Sequence, residues 1–132
     1  MAADTRASGD DTAVNVTKIY QLPHGDIAGG AGLLGVATAA IQWLQGNRKG
    51  PAPDIEGADI LFTDAGVPYY ASGSWPGSPV RGPIAIGSGA QGAMVALKLG
   101  KTPEEAVKLM FDIDPSTGGQ VDVLRYKKPR AK

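Results

Sequence analysis

The chain has 132 residues, 42% of them hydrophobic, which suits one domain with a sizeable core and is too short for two. Thirteen basic residues balance thirteen acidic ones, and the basic cluster Arg125, Lys127, Lys128, Arg130 and Lys132 has no aromatic platform beside it, so nucleic acid is not expected as a partner. There are no cysteines, no apolar run nears the roughly 20 residues of a membrane span, and the N-terminus carries no export-signal pattern, so the expected setting is the cytosol, away from membranes.

Ser8-Gly9-Asp10-Asp11-Thr12 is turn chemistry and predicts a first hairpin. Val14 to Leu22 alternates with strand period, and Pro23-His24-Gly25-Asp26 turns it into Ile27-Ala28. From Ala31 to Gln45 the residues Leu33, Leu34, Val36, Ala37, Ala40, Ile41 and Leu44 follow helical spacing, stopped by Gly46-Asn47. A loop with Pro51 and Pro53 leads to a second hairpin, Ile60–Thr63 and Val67–Tyr70 about the turn Asp64-Ala65-Gly66. Ser72 to Pro83 reads as irregular, and Pro83-Ile84-Ala85-Ile86 as a short buried strand entering Gly87-Ser88-Gly89 and a helix with Ala90, Ala93, Met94 and Leu97.

The next helix opens with Thr102-Pro103-Glu104-Glu105, which places a capping threonine, a proline at the first helical position and the box glutamate three residues on. Its apolar face is Ala106, Val107, Leu109, Met110 and Ile113; Asp114 to Gly119 then turns into a last strand, Val121 to Tyr126. Strands, helix, strands, two helices, strand is an α+β order that suits two antiparallel sheets between helical layers better than a doubly wound parallel sheet. A single domain over residues 1–126 with a basic tail over 127–132 is expected.

Taken alone, Lys18 reads as a solvated strand side chain, Asp4 as its surface partner, and the glycines at 29, 30 and 32 as a tight turn. Ser88 alone is a helix N-cap, and Asp114 with Thr117 a turn. Their joint order carries more. Ala2-Ala3-Asp4-Thr5-Arg6-Ala7-Ser8, Thr17-Lys18-Ile19, Ala28-Gly29-Gly30-Ala31, Ala85-Ile86-Gly87-Ser88-Gly89 and Asp114-Pro115-Ser116-Thr117-Gly118-Gly119 resemble, in sequence, pieces of proteasome β-subunits and of the HslV-type bacterial ATP-dependent protease.

The resemblance implies an N-terminal-nucleophile hydrolase with the αββα sandwich, here without the first strand and with a shortened helical layer between Gly46 and Ala58. It implies a threonine-type endopeptidase acting on peptides or unfolded proteins, assembled as a homo-oligomeric ring, served by an ATPase unfoldase, and needing no metal or cofactor. In such enzymes an N-terminal threonine attacks and its own α-amino group acts as base. Lys18 matches the activating cation, Asp4 its counter-ion, and Gly29 the oxyanion donor. Ser88, Asp114 and Thr117 match the set that orients the terminal amine, with threonine at 117 where relatives carry serine. Val16, Tyr20, Ile27 and Ala31 fall where the specificity pocket would be lined, which implies apolar substrate side chains.

The strand that should precede Ala2 and begin with threonine is not in this sequence, so the nucleophile is expected to be absent and the chain inactive as it stands, with Met1 either an internal residue of a longer frame or the start of a truncated, inactive subunit. Two other readings stand beside this one. The first is a non-catalytic structural subunit or binding protein on the same fold. The second is a dinucleotide-binding module, from the two G-x-G-x-x-G matches Gly30–Gly35 and Gly87–Gly92, which would need a βαβ context. His24, alone in a turn, supports no Ser-His-Asp triad, and Trp43 and Trp75 read as core or loop anchors.

Overall fold

A computed structural model describes residues 1–8 and 13–128. Short strands β1 (Ala2–Asp4), β2 (Arg6–Ser8) and β3 (Ala13–Asn15) come first, then β4 (Ile19–Gln21), a 3-10 turn (Pro23–Gly25) and β5 (Ile27–Gly32). Helix α1 (Leu34–Gln45), the hairpin β6 (Ala58–Asp64) and β7 (Val67–Ser72), and the two-residue β8 (Ser78–Pro79) follow. Helices α2 (Ala90–Lys98) and α3 (Pro103–Met110) and a final strand β9 (Val121–Val123) complete the chain.

Five strands form one antiparallel sheet in the order β4-β5-β6-β7-β8. The other sheet is built from two antiparallel ladders, β1 with β9 and β2 with β3. Thr5 joins them by turning its bonds both ways: its N–H donates to Gly118 O at 3.3 Å, while its carbonyl accepts from Val16 N at 2.6 Å. Helix α1 covers the five-stranded sheet, and α3 packs on β1 and β9 with α2 beside it. The result is the α+β sandwich of two antiparallel sheets between helical layers that the element order implied.

Alternation along each strand decides which side chains meet α1. Ala28, Ile60, Phe62 and Ala71 point there and bury against Ala37, Ala40, Ile41 and Leu44. The segment between α1 and β6 carries no second helix, as the shortened layer implied; Ile55 plugs the core at 1% exposure instead. Trp43 and Trp75 meet at 5.1 Å beside Phe62, and their indole N–H groups hold loop carbonyls at Gly50 and Pro53. Both tryptophans are therefore loop anchors as well as core.

Several boundaries follow local chemistry. Thr102 and Glu105 close the predicted capping box at 3.2 and 3.0 Å. The β6–β7 turn falls at Ala65-Gly66, both with positive φ, and the buried Asp26 carboxylate accepts from both amides and from Thr63 Oγ1. The turn of the first hairpin lies outside the described residues, but Arg6–Ser8 and Ala13–Asn15 pair as its arms should.

Other expectations are corrected. Val14 to Leu22 is not one strand: β3 belongs to one sheet and β4 to the other, with Val16-Thr17-Lys18 crossing between them. Helix α1 starts at Leu34 and not at Ala31, because Ala31 and Gly32 extend β5 by pairing with Asp59 and Ala58. Residues 83–86 form no strand; Ile84 to Ile86 are half-buried, and Ala85 N–H donates to Met94 Sδ at 3.1 Å instead of to a ladder. On α3 only Ala106 and Met110 are fully buried, while Leu109 is exposed and Ile113 lies past the helix end. Strand β9 ends at Val123, although Leu124 still exchanges bonds with Met1. The start of the basic tail is docked: Lys127 N–H donates to Gly25 O at 3.2 Å. Arg130 and Lys132 lie outside the described residues.

Candidate active site

Lys18 stands on the crossover between the sheets and is bonded to both. Its carbonyl accepts from Gly30 N at 3.2 Å in the five-stranded sheet. Its Nζ donates to Asp4 Oδ1 at 2.7 Å on β1. The pair is not an exposed one, since the side chains keep 25% and 11% of their accessible surface. Asp4 Oδ2 accepts from Gly118 N at 2.9 Å, so the carboxylate is anchored at both oxygens and fixes where the amine points.

A second polar set comes from the turn after α3 and the start of α2. Asp114 Oδ2 accepts from Ser88 Oγ at 2.5 Å and from Thr117 Oγ1 at 2.7 Å, and Oδ1 accepts from Ser116 N at 3.1 Å. The Ser88 hydroxyl above all, then that of Thr117, holds the Asp114 carboxyl below its ordinary value; slight desolvation opposes this, and the Ser116 amide and the Lys18 charge add to it. The Lys18 contribution places the two sets within electrostatic reach of each other. Both hydroxyl protons face Asp114, which leaves each oxygen free to accept a bond from an amine.

Both sets open on one cavity of about 1130 Å³ between the sheets, lined among others by Asp4, Lys18, Gly29, Ala31, Ser88 and Thr117. The structure thus brings together all six residues singled out for catalysis except in one respect. The donor of Gly29 points elsewhere. Gly30 bonds to Lys18 on one side and Leu33 N–H to Gly57 O on the other, so ladder alternation turns the Gly29 N–H toward its β6 partner Leu61. The next amide of β5 beyond Gly30 that faces the Lys18 edge is that of Gly32, whose φ of +91 makes the strand-to-helix corner. The Gly29 N–H therefore runs along the sheet and not toward the Lys18 edge, because N–H direction depends on ladder register, which spacing alone does not carry.

The four pocket candidates are divided. Ile27 and Ala31 share the cavity face with Gly29. Tyr20 lies opposite Ala28 and packs on the α1 core, with its hydroxyl donating to Thr17 O at 3.0 Å, and Val16 is half-buried at the crossover away from the cavity lining. Residues 5 and 6 were missed by sequence reading. Thr5 Oγ1 accepts from Gln120 N at 2.8 Å and Arg6 Nη1 donates to Pro115 O at 3.2 Å, both on the loop that carries Thr117. Only their neighbourhood to Asp4 could have signalled them.

His24 sits exposed in its 3-10 turn, outside the cavity lining. Among the described residues no group of three or more His, Asp or Glu side chains is placed to hold a metal ion, and no helix is long and apolar enough to cross a membrane. Neither glycine fingerprint has its βαβ unit: α1 joins antiparallel neighbours β5 and β6, and α2 leads into α3.

No family model and no curated protein matches the chain. Solved structures do. BPH of Thiobacillus denitrificans in complex with epoxomicin superposes with a TM-score of 0.73 at 12% identity, over 97% of this chain and 92% of that one. HslV from Trypanosoma brucei gives 0.72 at 17% identity, covering 92% and 88%, and a further structure of Thiobacillus denitrificans BPH gives 0.66 at 15% over the same shares. The architecture is that of the N-terminal-nucleophile hydrolases. The fold is the one these BPH and HslV structures have.

Proposed function

We propose that the cavity between the sheets is a threonine-type peptide-hydrolase site, and that the observation carrying this reading is the doubly anchored Lys18–Asp4 pair facing the Ser88–Asp114–Thr117 set across it. The nucleophile such a site requires is an N-terminal threonine, which residues 1–132 do not themselves contain at their start. Its Oγ bonds to the peptide carbonyl carbon, and its hydroxyl proton passes to its own α-amino group. The Lys18 cation lowers the proton affinity of both groups. Ser88 and Thr117 oxygens accept from the terminal amine and aim its lone pair at the hydroxyl. The tetrahedral oxyanion takes a bond from the Gly32 N–H, a type of contact worth about 10²–10³ in rate. The ammonium then returns its proton to the leaving amine, and water cleaves the threonine ester in the reverse sequence.

The substrate is an extended peptide or unfolded protein whose apolar side chain lies along the Ile27–Ala31 face. The working form is a homo-oligomeric cytosolic ring fed by an ATPase unfoldase. Residues 1–132 alone carry no N-terminal threonine and are not expected to cleave peptides.

The test compares residues 1–132 with the same chain preceded by a threonine-led strand, on a fluorogenic peptide with an apolar residue at the cleavage site. The shorter chain should be inert and the longer one active and blocked by epoxomicin, the ligand named with the similar BPH. Lys18→Ala should abolish the activity of the longer chain. If that chain is inert, and Lys18→Ala leaves epoxomicin binding unchanged, the hydrolase reading falls and the non-catalytic subunit replaces it.

A further inference from the structure

The turn between α3 and β9 carries Asp114 and Thr117, and by itself it is a surface loop. It is gripped by three consecutive residues of the opposite chain segment. Asp4 Oδ2 accepts from Gly118 N, Thr5 N–H donates to Gly118 O, Thr5 Oγ1 accepts from Gln120 N, and Arg6 Nη1 donates to Pro115 O. The guanidinium does more than reach a carbonyl. A Cβ built on Gly118 would lie 2.3 Å from Arg6 Cζ, 2.5 Å from Nη2 and 2.7 Å from Nε, so the flat group lies directly against the Gly118 backbone. Gly118 does not have a positive φ, so what an added Cβ would meet is the guanidinium end of Arg6, a flexible side chain that would be displaced from the loop.

We propose that Arg6 is a positioning residue: its guanidinium, stacked on Gly118 and bonded to Pro115 O, holds the 114–120 turn so that the Asp114 carboxylate meets Ser88 and Thr117. A planar fork is required for this. Lysine keeps the charge but has a point ammonium that cannot lie flat on a backbone while reaching a carbonyl. Arg6 touches none of the reacting groups; it acts through the loop. The catalytic value of that placement rests on the hydrolase reading above, but the placement itself does not.

The test therefore uses residues 1–132 without any assay of activity. Arg6→Lys and Gly118→Ala are made singly and together, and each is read by amide hydrogen exchange and by NMR titration of the Asp114 carboxyl, whose charged neighbour is Lys18. Each single variant should raise exchange at Gly118 and Gln120 by about tenfold, which equals about 1.4 kcal/mol of local opening. Exchange at Ile60 and Phe62 should stay unchanged. The Asp114 carboxyl should titrate closer to its ordinary value as its hydroxyl bonds loosen. The double variant should add little to either single one, because both break one contact. Arg6 is only a surface cation if Arg6→Lys alters neither readout, or if loop and core amides accelerate alike. If Arg6→Lys does not fold, Gly118→Ala decides alone: an unmoved Asp114 titration there overturns the proposal.

Discussion

The two faces of β5 belong to different regions of the molecule. Toward α1, Ala28 is fully buried and Gly30 approaches Ala37, Ile41 and Ile60 so closely that an added Cβ would lie 2.9 Å from Ala37 Cβ. Toward the other sheet, Gly29 and Ala31 border a cavity of about 1130 Å³ whose polar groups converge on Lys18. Consecutive residues of one strand thus serve packing and chemistry in turn. Small side chains on the first face let helix and sheet close together; on the second, Gly29 admits Ile19 and Met1, which an added Cβ would approach to 2.9 and 3.0 Å, and Ala31 borders the open cavity.

The sharpest way to break the packed side is Ile60→Ala. Ile60 is fully buried, so urea unfolding should show a loss of about 3 kcal/mol. A loss below about 1 kcal/mol would mean that this face is no better packed than the cavity face. Enlarging small residues then separates the faces directly. Ala28→Leu should cost about 2 kcal/mol from overpacking against α1, whereas Ala31→Leu projects into open space and should shift the urea midpoint little. Equal costs would erase the distinction.

The smallest expected effect is in acid. Asp114 has a folded value below its ordinary one, so its contribution to stability is complete above the ordinary carboxylate range and fades as pH falls below that toward the lowered value. Asp114→Asn should remove that part of the acid dependence by lowering the neutral-pH unfolding midpoint slightly while leaving the acid one unchanged, a small loss because the carboxyl is exposed. A large neutral-pH loss would make the turn part of the core after all.

What the sequence showed depended on how local each signal was. The Thr102 box, the Ala65-Gly66 turn and the α1 periodicity need only neighbours along the chain, and all three are present. The α+β sandwich followed from element order. Val14 to Leu22 misled because its period-two pattern runs unbroken across a change of sheet, and alternation reports faces, not partners. Ile84 to Ile86 misled because an apolar run says nothing about whether a strand edge is available. In the site, charged and hydroxyl residues were legible as types, and the structure gathers Asp4, Lys18, Ser88 and Thr117 around one cavity, with Asp114 bonded to the last two. Backbone direction was not legible, so spacing could not show that the Gly29 N–H turns toward β6 or that Tyr20 packs on the α1 core while Ala31 borders the cavity. Arg6 was invisible for a related reason, since its partner lies 112 positions away at Gly118.

Lys18 has its main chain stitched into one sheet and its amine tied into the other. The ion pair therefore works as a gauge of how the two layers are aligned. A slip of an ångström between them, caused by a substitution anywhere in the α1 or α3 packing, would stretch the 2.7 Å contact before any helix or strand came apart. In a protein built this way the Lys18–Asp4 contact should fail earlier on a destabilisation series than folding does, because the pair reads the alignment of the sandwich while the unfolding transition reads only its existence.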